Sequence, residues 1–409
     1  MAYESLRKLY YGDETVYQQT YFSRFGSDVA IKLDFQIAGK PAFFVQCNEV
    51  IAAVYEILRL DKEVGMLRIA LPGKAADQYA KKCLIDEIVL TNKIEGVHSS
   101  RKEIGEVLDE LGEQSRSKGK KKRFDGLVNK YLKLLTHEPV PLRTCEDIRR
   151  LYDEIVLDEV VAENPEHAPD GAIFRRDETA VRSATDKIIH SGLYPEREII
   201  AAMERALAFF NDSSIEKLYR ICLFHYLLEY IHPFYDGNGR LGRFIVSYCL
   251  AEEMEPLLAY RLSETIKENL SVYYKAFETC NDPHNLGDLT PFLLMMLQMI
   301  RTSIEELGDS LQRRLTSWKR YEKLTVDFPG ATSEKVFALY NVLIQAALFG
   351  ETGISTKELE DFFSASYGTV RNLLLKVKQT GMLVSTKVGR ERYYKLDLSV
   401  LDDLLLKQE

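Results

Sequence analysis

His232-Pro233-Phe234-Tyr235-Asp236-Gly237-Asn238-Gly239-Arg240-Leu241-Gly242-Arg243, HPFYDGNGRLGR over 232–243, is the stretch on which the reading of this chain turns. Gly237-Asn238-Gly239 leaves backbone amides unhindered where a new helix begins, and a helix N-terminus with small residues suits an anion such as a diphosphate. Arg240 and Arg243 stand three apart, so both guanidinium groups leave the helix on one face and can grip further phosphate oxygens. Asp236, just before the glycines, can hold a Mg²⁺ ion that bridges those phosphates. His232, at the end of the preceding helical stretch, has an ordinary pKa suited to taking a hydroxyl proton near neutral pH. A lone histidine is usually structural, GNG is a common turn, and two arginines three apart usually form a solvated face. Their conjunction within twelve residues is what points to phosphate chemistry.

Outward from the motif the chain reads as mainly α. Apolar residues recur at spacings of three and four over 45–60 and 79–95, and helical signals follow over about 125–160, 196–210, 214–231, 244–254, 263–280 and 289–315. The prolines, glycine and charges of AENPEHAPDGAIFRRDETA (162–180) break that pattern, and VRSATDKIIHSGLYPE (181–196) suits a short hairpin beside a site. The basic run Ser115–Phe124 reads as a solvated loop. After a turn in DFPGATSEK (327–335), residues 354–396 read as helix, turn, helix and two strands joined at Val388-Gly389-Arg390, an order resembling a winged helix-turn-helix.

Composition narrows the classes. A net charge of −8 and a pI near 5.6 argue against wholesale nucleic-acid affinity, so DNA binding has to be local. Six cysteines without a CxxC pair give no zinc or redox pattern and read as reduced, buried thiols. No apolar run is long enough to span a membrane, and the charged start MAYESLRKLYYGDE lacks the core of a secretory signal. A cytoplasmic protein with no membrane contact is the expectation.

These residues resemble the Fic family, whose signature HxFx(D/E)GNGRxxR is matched at every fixed position by 232–243. The resemblance, over roughly 30–300, implies a Fic-type helical core with a short β-hairpin flap; the small C-terminal winged helix-turn-helix rests on the element order of 354–396. With that order, the resemblance implies stretches 1–110 (an N-terminal helical region with an inhibitory helix at about 79–96), 111–320 (the catalytic domain) and 330–409 (the winged helix). It further implies that AMP passes from ATP to a Ser, Thr or Tyr hydroxyl of a protein, this chain itself included. His232 is then the catalytic base and Asp236 the Mg²⁺ ligand, with Phe234 anchoring the loop. Gly237, Asn238, Gly239 and Arg240, with Leu241 and Gly242, bind the ATP phosphates, and Arg243 holds the γ-phosphate.

GAIFRRDETAVRSATDKIIHSGLYP resembles the family's target-clamping flap, which places Val181, Arg182, Ile188 and Ile189 on it. RLSETIKENLSVYYKAFETCN resembles the helix closing the adenine site, which carries Tyr274 and Asn281, and after them Tyr273, into nucleotide contact. Thr91-Asn92-Lys93-Ile94-Glu95-Gly96 fits the inhibitory pattern (S/T)xxxE(G/N), so Glu95 is expected to pair with Arg243 in place of the γ-phosphate.

Three alternatives stand beside this reading. A Doc-like kinase transfers phosphate instead, but that branch has lysine at the position of Gly239 and lacks the second arginine. Removal of AMP fits a Glu95 that positions a water. A DNA-binding regulator fits Arg371, Lys376 and Lys378 on the second helix of the C-terminal segment, with Lys387, Arg390 and Arg392 on its wing. A homodimer is a further partner that this architecture admits.

Overall fold

Alternation of apolar and polar residues over IKLDFQI, a two-residue left-handed turn at Ala38-Gly39, and the return KPAFFV make the first β-element of the chain, strands Ala30–Ile37 and Lys40–Val45 paired antiparallel. The computed structural model describes residues 3–112, 123–135, 138–182, 188–325, 328, 333–388 and 391–406. These form two compact units, one of residues 1–61, 87–99 and 107–305, the other of 62–86, 100–106 and 306–409. Residues 115–122 of the basic run Ser115–Phe124, residues 183–187, and 389–390 with Arg390 among them lie outside the described residues.

The first unit is built round helix Lys217–Ile231, whose apolar residues point in all directions because helices Glu196–Asn211 and Asn238–Glu253 pack against it. Its strand pair ties on through Phe43, whose N–H donates to the Gly287 carbonyl at 3.0 Å and whose carbonyl accepts from Leu289 N–H at 2.7 Å. Helix Cys145–Tyr152 starts in a capping box of Thr144 and Asp147. It widens through a π-turn at Asp153–Leu157 and continues as Asp158–Glu163. That winding puts Tyr152, Val156 and Glu159 behind the loop of the 232–243 motif. A second antiparallel strand pair, Ala180–Arg182 with Ile188–Ser191, follows.

In the second unit, helix Glu334–Phe349 precedes strand Ile354–Ser355, helices Thr356–Phe363 and Tyr367–Lys378, and strands Leu383–Val388 and Glu391–Leu396. The last strand is central in the three-stranded sheet, and Val370, Leu373, Leu374 and Val377 bury one face of the helix that precedes it.

The mainly helical class holds, with small strand pairs, and several boundaries move. The helix expected over 45–60 runs Asn48–Ile69, because 40–45 is spent on a strand. The stretch over 125–160 divides into Asp125–Leu135 and Cys145–Tyr152, since Pro139 and Pro141 cannot continue a helix. Helices Leu6–Tyr10 and Glu14–Phe25 and the first strand pair went unforeseen. All six cysteines are free, and five are buried, Cys47 being partly exposed. Among the described residues no helix is long and apolar enough to cross a membrane.

Candidate functional site

Helix Lys217–Ile231 ends at His232, which takes a left-handed conformation (φ 52°, ψ 63°) although it is not glycine. The chain then loops through 233–237 and re-enters a helix at Asn238. Asn238 closes this loop on itself, accepting from Phe234 N–H at 3.0 Å and donating to the Phe234 carbonyl at 2.8 Å. Phe234 is fully buried, stacked on Tyr152 with centroids 3.6 Å apart and edge-on to Phe174. Gly237 is required twice, for its φ of +81° and because a Cβ there would lie 2.9 Å from Val156.

The first turn of helix Asn238–Glu253 has N–H groups without intrahelical acceptors, and the helix dipole favours an anion there. Two buried guanidinium groups stand behind it. Arg240 Nη1 donates to Glu159 Oε2 at 2.8 Å, while Arg240 Nε and Nη2 have no partner among the described residues. Arg243 Nε donates to Thr91 Oγ1 at 2.8 Å, and its Nη2 meets Glu95 Oε1 at 2.7 Å. The Glu95 carboxylate lies over the helix start, since a Cβ on Gly239 would be 2.2 Å from Glu95 Oε1. An internal carboxylate therefore stands in the anion cradle. The helix Ala75–Ile94 that brings it there is fixed by buried Glu87, which accepts from Ser263 Oγ at 2.6 Å and Ser263 N–H at 3.0 Å.

At the lip of the cradle His232 is neutral. Burial pushes its pKa down to about 3, helped by the charges of His190 and Arg175 and opposed by the Glu229 carbonyl. This corrects the expectation of a histidine titrating near neutrality: the ring is ready to accept a proton across the whole physiological range, as a weaker base. Glu229 Oε2 lies 3.9 Å from His232 Nδ1. Burial, with Glu95 adding and Arg243 opposing, raises the Glu229 carboxyl to about 8, so it is largely protonated at neutral pH. His225 Nε2 and Tyr273 Oη are 2.6 Å apart in the same buried layer, and burial, then Arg243, pushes His225 down to about 3.

Asp236 Oδ1 accepts from Gly237 N–H at 2.5 Å, and Oδ2 is 3.9 Å from His167 Nδ1. One partly exposed carboxylate beside an anion cradle fits Mg²⁺, which in nucleotide sites takes one or two carboxylates and completes its shell with phosphate oxygens and waters. Tyr274 is 44% exposed and lies where Glu95 and Arg243 act on its phenol. Asn281 is engaged, its Oδ1 accepting from Tyr226 Oη at 2.6 Å. Val181, Arg182, Ile188 and Ile189 lie on the two paired strands, Val181 opposite His190 and Arg182 opposite Ile188.

Leu241 is fully buried and makes the second turn of the motif helix. Gly242 faces His225, where a Cβ would come within 2.7 Å of Nδ1, so its absent side chain serves helix packing. Sequence reasoning missed Tyr152, Glu159, Thr91 as an Arg243 partner, Glu229 and Arg175. Only Glu229 carried a signal, a carboxyl three residues before His232 in the otherwise uncharged run Ile221–Ile231.

The fold and site define a class: a helical protein with an anion cradle at a helix start, two arginines behind it and a histidine at its lip. Residues 143–250 match the Fic/DOC family, and the chain carries a Fic domain there. The chain is similar to protein adenylyltransferase Fic of Nematostella vectensis, 30% identical over 130 residues, covering 28% of this chain and 28% of that protein. Against protein adenylyltransferase fic-1 of Caenorhabditis elegans it is 27% identical over 110 residues, covering 26% of this chain and 20% of the relative. The chain thus spans about a quarter of the length of these relatives. A crystal structure of a Fic family protein from Desulfovibrio desulfuricans G20 is similar over 84% of this chain and 96% of that one, at 21% identity and a TM-score of 0.48.

Proposed function

We propose that this chain transfers AMP from ATP to a hydroxyl of a protein and that Glu95 restrains it. The observation that carries the reading is the Glu95 carboxylate held by Arg243 against Gly239, an anion of the chain's own in a cradle built for one. The unpartnered Nε and Nη2 of Arg240 support it, because buried donors without acceptors point to a ligand that supplies them.

With Glu95 displaced, the phosphates of ATP take its place: the amides at Gly237–Gly239 and the Arg240 guanidinium meet the α- and β-phosphates, and Arg243 the γ-phosphate. Asp236 would hold Mg²⁺, which when bound would supply charge neutralisation on the phosphates. The target hydroxyl oxygen bonds to the α-phosphorus as the bond to pyrophosphate breaks, and neutral His232 takes the hydroxyl proton. Positioning and charge stabilisation do most of the work. The flap strands offer backbone to an extended target segment, and Tyr274 offers a ring edge to the base. The division into 1–110, 111–320 and 330–409 is part of the same proposal, as is a cytoplasmic setting.

A second activity beside the first is favoured by one observation: Arg371, Lys376, Lys378, Lys387 and Arg392 are all exposed in the C-terminal segment of an acidic chain. We propose that this winged-helix arrangement contacts DNA phosphates as an addition to catalysis.

Incubation with ATP labelled at the α- or the γ-position tests the main reading. Label on protein only from the α-position, lost in His232→Ala with ATP binding retained, is the expected result. Label from the γ-position alone supports the kinase reading, and transfer at an undiminished rate by His232→Ala removes His232 as the base.

A further inference from the structure

The last carbonyls of a helix have no N–H donors within it and must find donors elsewhere. At the end of helix Lys217–Ile231 and in the turn after it, four carbonyls take donors from the segment that carries the second strand pair. His190 Nε2 lies 2.6 Å from the Tyr230 carbonyl, and since a carbonyl only accepts, that nitrogen bears the proton. Leu193 N–H donates to the Ile231 carbonyl at 3.0 Å, and Arg175 N–H donates to the Pro233 carbonyl at 3.1 Å. The Arg175 guanidinium takes the carbonyl between these two, Nε donating to the His232 carbonyl at 2.9 Å.

Arg175 is fully buried, and its other nitrogens also go to backbone: Nη1 to the Asp177 carbonyl at 2.5 Å and Nη2 to the Leu193 carbonyl at 2.6 Å. Asp177 lies just before strand Ala180–Arg182, and Leu193 just after strand Ile188–Ser191. One planar fork therefore joins both feet of the strand pair to the residue at the cradle's lip. Gly192 leaves room for it: a Cβ there would lie 2.4 Å from Arg175 Nη2 and 2.9 Å from His232 Cβ. The fork holds His232 in a left-handed conformation that a residue with a Cβ adopts only when its surroundings impose it.

Resting on the AMP-transfer reading, we propose that Arg175 is a positioning residue for His232. Its three-way fork fixes the turn that carries the imidazole and locks that turn to both feet of the flap, so the base and a target segment laid along the flap keep one register. Arg175 does not touch ATP in this arrangement, and its contribution falls on the chemical step. Lysine cannot replace it, because a single ammonium lacks the rigid fork that reaches three carbonyls lying in different directions.

The test compares Arg175→Lys and Gly192→Ala, each in a Glu95→Gly background, with that background alone. Both are expected to lower kcat for AMP transfer by about a hundredfold, the scale of a misplaced catalytic group. The KM and affinity for ATP should hold to within about a factor of two, because an interaction made only on the way to the transition state acts on kcat. Gly192→Ala crowds the fork while leaving every charge in place, so it decides on the same criteria if Arg175→Lys does not fold. NMR of histidine-labelled protein gives a readout that needs no catalysis: the His232 ring signals should shift or broaden in both variants. A folded Arg175→Lys with undiminished kcat, or with ATP affinity falling as far as kcat, overturns the proposal, as do unchanged His232 signals. If the Glu95→Gly background transfers no AMP, the functional reading fails, and the His232 signals still judge the role of Arg175.

Discussion

Glu229 shows how much a single buried carboxyl can say about this site. Its pKa of about 8, against an ordinary 4.5, means that the folded chain holds one more proton than the unfolded chain between those values. Stability from this group is complete below about pH 4.5 and is lost as pH rises through about 8. Glu229→Gln, which cannot ionise, should therefore gain on the parent as pH rises. Melting temperatures of both at about pH 5 and about pH 8.5 check this, and an equal gap at the two pH values would count against a protonated Glu229. The residues nearest the phosphate chemistry were legible, because HPFYDGNGRLGR packs acid, glycines, arginines and histidine into one short run. Those that support them were not. Glu159, Tyr152 and Arg175 lie between 57 and 91 positions from the motif's ends and reach it only through folding, and a buried Arg175 satisfied by carbonyls looks in sequence like any charged loop residue.

At Gly242 helices Lys217–Ile231 and Asn238–Glu253 come so close that they leave no room for a side chain. A Cβ would meet His225 Nδ1 at 2.7 Å and Glu229 Oε1 at 3.0 Å, both on a helix buried round its circumference. Gly242→Ala should cost about 1–3 kcal/mol, the usual penalty for overpacking. Denaturant unfolding measures it, and a loss below about 0.5 kcal/mol would mean that the two helices part more easily than their packing implies. Periodicity of three and four located the long helices, and a clear alternation stood in IKLDFQI, yet the first strand pair was absorbed into a helical expectation. What decided it was the left-handed turn at Ala38-Gly39, a local feature that Ala38 does not advertise. The break before Cys145 was legible in principle from Pro139 and Pro141.

For the whole molecule, charge and division carry different messages. The chain is acidic overall, so any affinity for DNA has to come from the exposed cations of the C-terminal segment and should weaken linearly in log affinity against log salt. Arg371→Ala should weaken binding to unrelated sequences alike and reduce the salt slope by about one. Fluorescence anisotropy across a salt series reads this, and binding that ignores salt, or its absence, would leave the segment a protein-contact module. The sequence order of the two compact units, with 62–86 and 100–106 grouped with 306–409, was beyond reach of composition, because contact between distant segments leaves no periodic trace.

The central claim is that Glu95 occupies the cradle that ATP needs. Its charge-assisted bond to Arg243 is of a kind worth about 1.5–3 kcal/mol, and each 1.4 kcal/mol is about tenfold in an equilibrium. AMP incorporation from α-labelled ATP, measured side by side in the native chain and Glu95→Gly, should rise by about one to two orders of magnitude in the variant, and the gain should vanish when Arg243→Ala is added. Incorporation that is unchanged or lower in Glu95→Gly would contradict restraint by Glu95 and make that carboxylate a participant in the chemistry.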